Sequence, residues 1–159
     1  TPLTNETAVE LVERLAIAKA QAIASKEKNA LVIGSDQVCV SHGQILGKPG
    51  NYENAFAQLK AASGNKVTFY TGLAVIDTDT HAMTSLVEPY NVHFRHLTDA
   101  MIDRYLNAEQ PYDCAGSFKS EGFGISLFSR LEGRDPNSLI GLPLISLIEI
   151  LDDAGLRVI

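Results

Sequence analysis

The chain has 159 residues, 45% of them hydrophobic and 20% charged, which suits one ordinary domain large enough to bury a core. A net charge of −6 and a pI near 5.1 exclude a broad nucleic-acid footprint, because tracking phosphates needs clustered Lys and Arg. No apolar run approaches the ~20 residues of a membrane span and no secretory signal opens the chain, so a cytoplasmic location is expected.

From Thr7 to about Ser25, Ala8, Leu11, Val12, Leu15, Ala18, Ala22 and Ile23 recur at helical spacing, with Glu6 and Glu10 early and Lys26 and Lys28 late, as the helix dipole prefers. Ala30 to Ile33 is apolar and β-branched and reads as a buried strand, with Gly34 marking a turn or a close backbone approach. Gln37 to Ser41 and Gln44 to Leu46 then flank His42-Gly43 as a tight hairpin. Asn51 caps a second helix whose Ala55, Phe56, Leu59 and Ala62 share a face and whose stop is Gly64.

Lys66 to Asp77 and Met83 to Phe94 bracket Thr78-Asp79-Thr80-His81 as a long hairpin. Thr98 caps a short helix running through Leu106. Gly116 to Glu121 reads as loop, Phe123 to Leu131 as strand, and Ser138 to about Leu151 as a final helix that Pro143 kinks or starts late. Cys39 and Cys114 have no metal-ligand spacing and read as reduced, structural thiols. His93 and His96, three apart on a strand, point to opposite faces and do not chelate together; His42 and His81 fall in solvated turns. Arg130, Arg134 and Asp135 read as a salt-bridged surface.

Three segments stand out for chemistry. Ile33-Gly34-Ser35-Asp36-Gln37-Val38 puts a carboxylate at a strand end, where open α/β sheets tend to bind ligands, and Gly47-Lys48-Pro49 follows with an ammonium. Downstream lie Gly116-Ser117-Phe118-Lys119-Ser120-Glu121-Gly122-Phe123-Gly124 and Asn137-Ser138-Leu139-Ile140-Gly141-Leu142-Pro143-Leu144. Taken singly, Asp36 is an ordinary turn or capping residue and Lys48 an ordinary surface lysine.

In this order and combination the segments closely resemble the Maf family of nucleotide pyrophosphatases over essentially the whole chain. The Ser-Asp-Gln, Phe-Lys-Ser-Glu-Gly-Phe-Gly and Glu-Gly-Arg-Asp-Pro-Asn wording is similar to the branch that hydrolyses 7-methyl-GTP. The branch acting on dTTP and UTP usually has Asp-Thr at the first site and Gln in place of Glu121. The resemblance implies an α/β fold with an elongated mixed sheet flanked by helices around a central cleft, and a single domain over residues 1–159. It also implies a divalent cation (Mg, Mn or Co), a nucleoside triphosphate substrate, and a homodimer as one allowed assembly. Family members normally start with a strand and a Ser-x-Ser-x-x-Arg loop, which residues 1 to 159 do not contain; the chain therefore reads as lacking that strand and phosphate loop.

Within that resemblance, Asp36 is the general base for the attacking water or a ligand of the cation; both roles need a carboxylate near the α phosphate, and they stay open together. Lys48 and Lys19 would reach phosphate, although Lys19 borders the buried helix face and also fits a snorkelling lysine. Gln37 and Glu121 are the expected base-reading pair. A carboxylate accepts from guanine N1–H and N2–H₂, and its charge favours a ring made cationic by N7 methylation. Lys119 contacts phosphate or pairs with a surface acid, and Asn137 takes no firm role. The rivals are the dTTP/UTP branch and a non-catalytic nucleotide-binding regulator of cell division.

Overall fold

The computed structural model describes all of residues 1–159. Five helices, α1 (Ala8–Ala24), α2 (Tyr52–Ala62), α3 (Asp99–Glu109), α4 (Pro136–Ile140) and α5 (Leu144–Asp153), accompany five strands. The strands are β1 (Leu31–Ser41), β2 (Gln44–Leu46), β3 (Lys66–Asp77), β4 (Met83–Phe94) and β5 (Phe128–Gly133), in sheet order β2-β1-β3-β4-β5. The expected α/β class holds, but the strands are antiparallel rather than mixed. Both β1–β2 and β4–β5 pair antiparallel. Along β1 and β3 the contacts run in opposite directions, since Thr78 N bonds Ala30 O while Ser35 Oγ bonds Gly72 O. A parallel pair would need a crossover of a dozen or more residues, whereas two tight turns join β1 to β2 and β3 to β4. No helix is long and apolar enough to cross a membrane.

The chain divides into two compact units. The first comprises Thr1–Gln37, Tyr70–Pro89 and Asp135–Ile159. Its helix α1 begins with a capping box, in which Thr7 Oγ1 accepts from Glu10 N at 3.2 Å and the Glu10 carboxylate accepts from Thr7 N at 2.8 Å. Ala16 and Ala20 of α1 pack on Val32, Ala74 and Ile76. On the opposite sheet face Leu147, Ile150 and Leu151 of α5 pack on Leu73 and Val75, with Leu31 against them. This is the period-two alternation of a strand covered on both sides.

The long helix expected from Ser138 resolves into two. Gly141 has φ 137, a conformation open to glycine, and Pro143 lacks the N–H that would continue α4. Helix α5 therefore starts at Leu144, immediately after the proline, as a late start requires.

The second unit comprises Val38–Phe69 and Tyr90–Arg134. Asn51 caps α2 by accepting from Asn54 N at 2.8 Å, and Gly64, with φ 68, follows the helix end. Helix α3 starts from Thr98 as expected but runs past Leu106 to Glu109, stopping where Gln110 turns left-handed. Phe118 centres an aromatic cluster with Phe69, Phe94 and Phe128 at centroid distances of 5.4, 5.3 and 5.1 Å, all edge to face. The strand expected from Phe123 begins only at Phe128; Phe123–Leu127 is a 3₁₀ turn. The cause is local: Gly122 N and Gly124 N both turn back to the Lys119 carbonyl, at 3.3 and 3.0 Å, and such a turn cannot be extended. Both cysteines are free, and burial pushes the Cys39 thiol up to about 12, which keeps it protonated and inert.

Glycine sets the spacing under α1. A Cβ on Gly34 would collide with the Ala16 carbonyl oxygen and stand 2.6 Å from Ala20 N, and one on Gly72 would stand 2.9 Å from the Val12 carbonyl carbon. Gly34→Ala is therefore expected to cost about 1–3 kcal/mol or more, since backbone rather than a pliable side chain must move. Urea denaturation checks this; unchanged stability would mean that α1 has slack above the sheet.

Candidate active site

Strand alternation sends Gly34 and Asp36 of β1 toward α1, and the close approach at Gly34 lets Lys19, one turn beyond Leu15, reach over the sheet. Lys19 Nζ lies 2.6 Å from Asp36 Oδ1. The lysine side chain is 58% exposed and the aspartate 19%, so the carboxylate is sheltered while its partner is free to move. An ion pair this open is worth only about 0–1 kcal/mol, little enough for an incoming anion to exchange for it.

Ser35 and Gln37 project from the other face of the strand. Ser35 Oγ lies 2.9 Å from both Gly72 O and Gly141 O. Gln37 Nε2 donates to Ser138 O at 2.8 Å and lies 3.0 and 3.1 Å from Thr71 Oγ1 and Leu139 O, while Thr71 Oγ1 donates to Ser138 O at 2.8 Å. Helix α4 is only five residues long and leaves its last carbonyls without helical partners; the side chains of β1 and β3 supply the missing donors. Asp36 is thus flanked by two residues bolted to one loop. The sequence assigned Gln37 to base reading, and nothing in its residue type announced that its nitrogen would be committed to these carbonyls.

Asp135 departs from the expected salt-bridged surface. It is wholly buried, and Oδ1 accepts from Asn137 N and Asn137 Nδ2 at 2.8 and 2.9 Å while Oδ2 accepts from Ile145 N at 2.8 Å. One carboxylate therefore caps α4 and ties it to α5. The Asp-Pro-Asn order is an N-cap with proline at the first helical position, the signal from which this role could have been read. Arg130 lies instead beside Glu132 at 3.8 Å.

In the second unit Lys48 and Lys119 are exposed, and Lys48 has no hydrogen bond or ion pair. The Gly47–Gly50 turn is nonetheless fixed: Asn54 Nδ2 donates to Pro49 O at 3.0 Å, and Gly50 N to Tyr112 O at 2.9 Å. The Gly116–Gly124 segment is anchored by buried Phe118, by Lys119 N donating to Tyr105 Oη at 3.1 Å, and by Phe123 N donating to Glu109 Oε2 at 3.1 Å. Glu121 is exposed and accepts only from Ser120 Oγ, at 3.2 Å. A residue the sequence reading passed over, Gln58 of α2, bonds both segments: Nε2 donates to Gly47 O at 3.2 Å and Oε1 accepts from Ser117 Oγ. His93 sits 3.1 Å from Glu132, and no group of three or more His, Cys, Asp or Glu side chains is arranged to hold a metal ion.

The first unit thus holds a sheltered carboxylate paired with an ammonium, and the second displays exposed lysines on anchored turns, in a protein of the α/β class. The description of the Maf-like protein family matches residues 1–154, and the chain belongs to that family. It is 59% identical over 155 residues to a protein of Colwellia psychrerythraea named 7-methyl-GTP pyrophosphatase, an alignment covering 98% of this chain and 78% of the relative. It is 54% identical over 159 residues to one of Aliivibrio fischeri with the same name, covering 100% of this chain and 82% of the relative.

Burial alone would raise the Asp135 carboxyl, but the hydrogen bonds from Ile145 N, Asn137 N, the Asn137 side chain and Leu144 N outweigh it and hold the group below its ordinary value of 3.8. Its contribution to stability is therefore complete above the unfolded value and is lost as pH falls through the lower folded one. Melting temperatures of the wild type should fall as acid is added below about pH 4. Asp135→Asn, less stable at neutral pH, should show a smaller fall, and parallel curves would remove Asp135 from the acid transition.

Proposed function

We propose that the chain hydrolyses 7-methyl-GTP to 7-methyl-GMP and pyrophosphate, clearing a modified nucleotide. The observation that carries this reading is an intact Asp36 paired with Lys19 in a chain 54–59% identical to relatives named for that activity. Asp36 accepts a proton from the attacking water as the water oxygen bonds to the α phosphorus and the bond to the bridging oxygen of the β phosphate breaks, releasing pyrophosphate. Lys19 exchanges its aspartate partner for a phosphate oxygen, and Lys48 and Lys119 bind phosphate as point charges. Glu121 accepts from the guanine edge and favours the N7-methylated cation over an uncharged base, while Gln37, its amide nitrogen committed to the α4 carbonyls, holds the backbone beside Asp36 rather than reading the base.

The donor set fits a cation that keeps much of its shell on phosphate and water, because Asp36 offers one carboxylate and no three-ligand cluster accompanies it. When bound, such a cation (Mg, Mn or Co) would neutralise phosphate charge and acidify a coordinated water. Asp36 and the triphosphate oxygens would hold it.

A pyrophosphate-release assay over 7-methyl-GTP, GTP, dTTP and UTP tests the reaction and the substrate together; a preference for dTTP and UTP would transfer the chain to the other branch. Asp36→Asn should leave the fold intact and reduce turnover by about 10²–10⁴, the usual worth of a general base. A folded variant with wild-type turnover would take Asp36 out of the reaction. Glu121→Gln should weaken both guanine nucleotides, and 7-methyl-GTP the more because it also loses the charge attraction, so that the gap between 7-methyl-GTP and GTP narrows; an undiminished gap would remove Glu121 from base selection.

A further inference from the structure

Gln58 lies in the interior of α2, half-buried, and spends both ends of its amide on segments far away in sequence. The acceptor character of Gly47 O requires Nε2 on that side, which leaves Oε1 for the Ser117 hydroxyl. Gly47 immediately precedes Lys48. Ser117 precedes Lys119 by two residues and Glu121 by four. One side chain thus joins the turn bearing the candidate phosphate lysine to the loop bearing the candidate base-reading carboxylate.

Backbone strain points to the same residue. Ser117 has φ 67 and follows Gly116 with φ 79, so two consecutive residues lie in the left-handed region, the second carrying a side chain. Such a conformation persists only where the surroundings over-determine it. Ser117 is completely buried, and its hydroxyl's hydrogen bond goes to Gln58. With that acceptor removed, a strained and buried serine loses its side-chain tether to α2, and the loop stays held from Phe118 onward, at Lys119 N and Phe123 N, with no side-chain link to the Gly47 turn.

We propose that Gln58 is a positioning residue that sets the separation between Lys48 and the Lys119–Glu121 loop, so that the two ends of one nucleotide are gripped at once. The inference rests on the function proposed above. Two anchors held at the correct span make the second contact effectively intramolecular, and loosening the span forfeits that advantage while each anchor keeps its own affinity.

The experiment compares three probes by binding: 7-methyl-GTP, and its two ends offered separately as 7-methylguanosine and inorganic triphosphate. In Gln58→Leu the intact nucleotide should bind about tenfold more weakly, with 7-methylguanosine bound as in the wild type and inorganic triphosphate, which Lys48 and Lys119 share, weakened by less, and KM should rise by the same factor as the intact nucleotide's affinity falls, with kcat little changed. Ser117→Ala, which cuts one arm only, should give a smaller loss of the same kind. Gln58→Glu keeps the Ser117 arm and opposes the Gly47 carbonyl, and should fall between wild type and Gln58→Leu. Equal weakening of the fragments, or an unchanged affinity for the intact nucleotide, overturns the proposal. Should Gln58→Leu fail to fold, Ser117→Ala and Gln58→Glu carry the same comparison. Failure of the wild type to bind 7-methyl-GTP would instead sink the proposed substrate, while inorganic triphosphate and the wild type's preferred nucleotide would still test the span.

Discussion

The close approach of α1 to the sheet is the constraint on which the candidate catalytic pair depends. A helix normally stands off a sheet by the thickness of the side chains between them, and here Gly34 and Gly72 reduce that thickness to backbone under Ala16 and Ala20. Lys19, on the next residue step of the same helix, then reaches the strand position two beyond Gly34 without stretching. The pairing of Lys19 with Asp36 is in this sense a consequence of two missing side chains. It also explains why an exposed lysine on a helix that otherwise buries alanine is more than a solvated charge.

Strand alternation then divides the labour around Asp36. Its own side chain turns to α1, while Ser35 and Gln37 turn to the opposite layer and satisfy the carbonyls that a five-residue helix leaves open. Asp135 stiffens that loop from its other end. A carboxylate meant to act on a substrate needs a backbone that does not yield, and hydrogen bonds to buried carbonyls supply this better than exposed ion pairs, whose worth is small. The polar residues of this layer stabilise by meeting each other's unpaired groups rather than by charge.

The second unit separates anchoring from display in the same way. Phe118 lies buried among three aromatic rings, Tyr105 receives the next backbone N–H, and the Lys119 carbonyl is wrapped by Gly122 and Gly124. The side chains of Lys119 and Glu121 remain in solvent. A loop held by its backbone and displaying its charges is how binding residues are usually presented on a rigid scaffold.

Much of this was legible in the residues themselves. The helix from Thr7, the hairpin around His42-Gly43 and the Lys66–Asp77 and Met83–Phe94 strands could be placed because their signals are local: apolar periodicity, a capping hydroxyl, a glycine turn. Asp36, Lys19, Lys48, Lys119 and Glu121 could be nominated because motif order points to a family. Tertiary structure alone decided what sequence spacing does not encode. Gly34 proved to be a close approach rather than a turn because Ala16 lies above it, and Phe123–Leu127 curled because Lys119 offers its carbonyl. Asp135 became a buried cap rather than a surface acid because α5 presents Ile145 N to it, and Gln58 became a bridge because two distant turns meet at its amide. Except at the Lys119 turn, where the partner is a few residues away, the deciding partner lies ten or more residues off in the chain, and a hydrogen bond's worth depends on who stands opposite, which a residue's own type and neighbours leave undetermined.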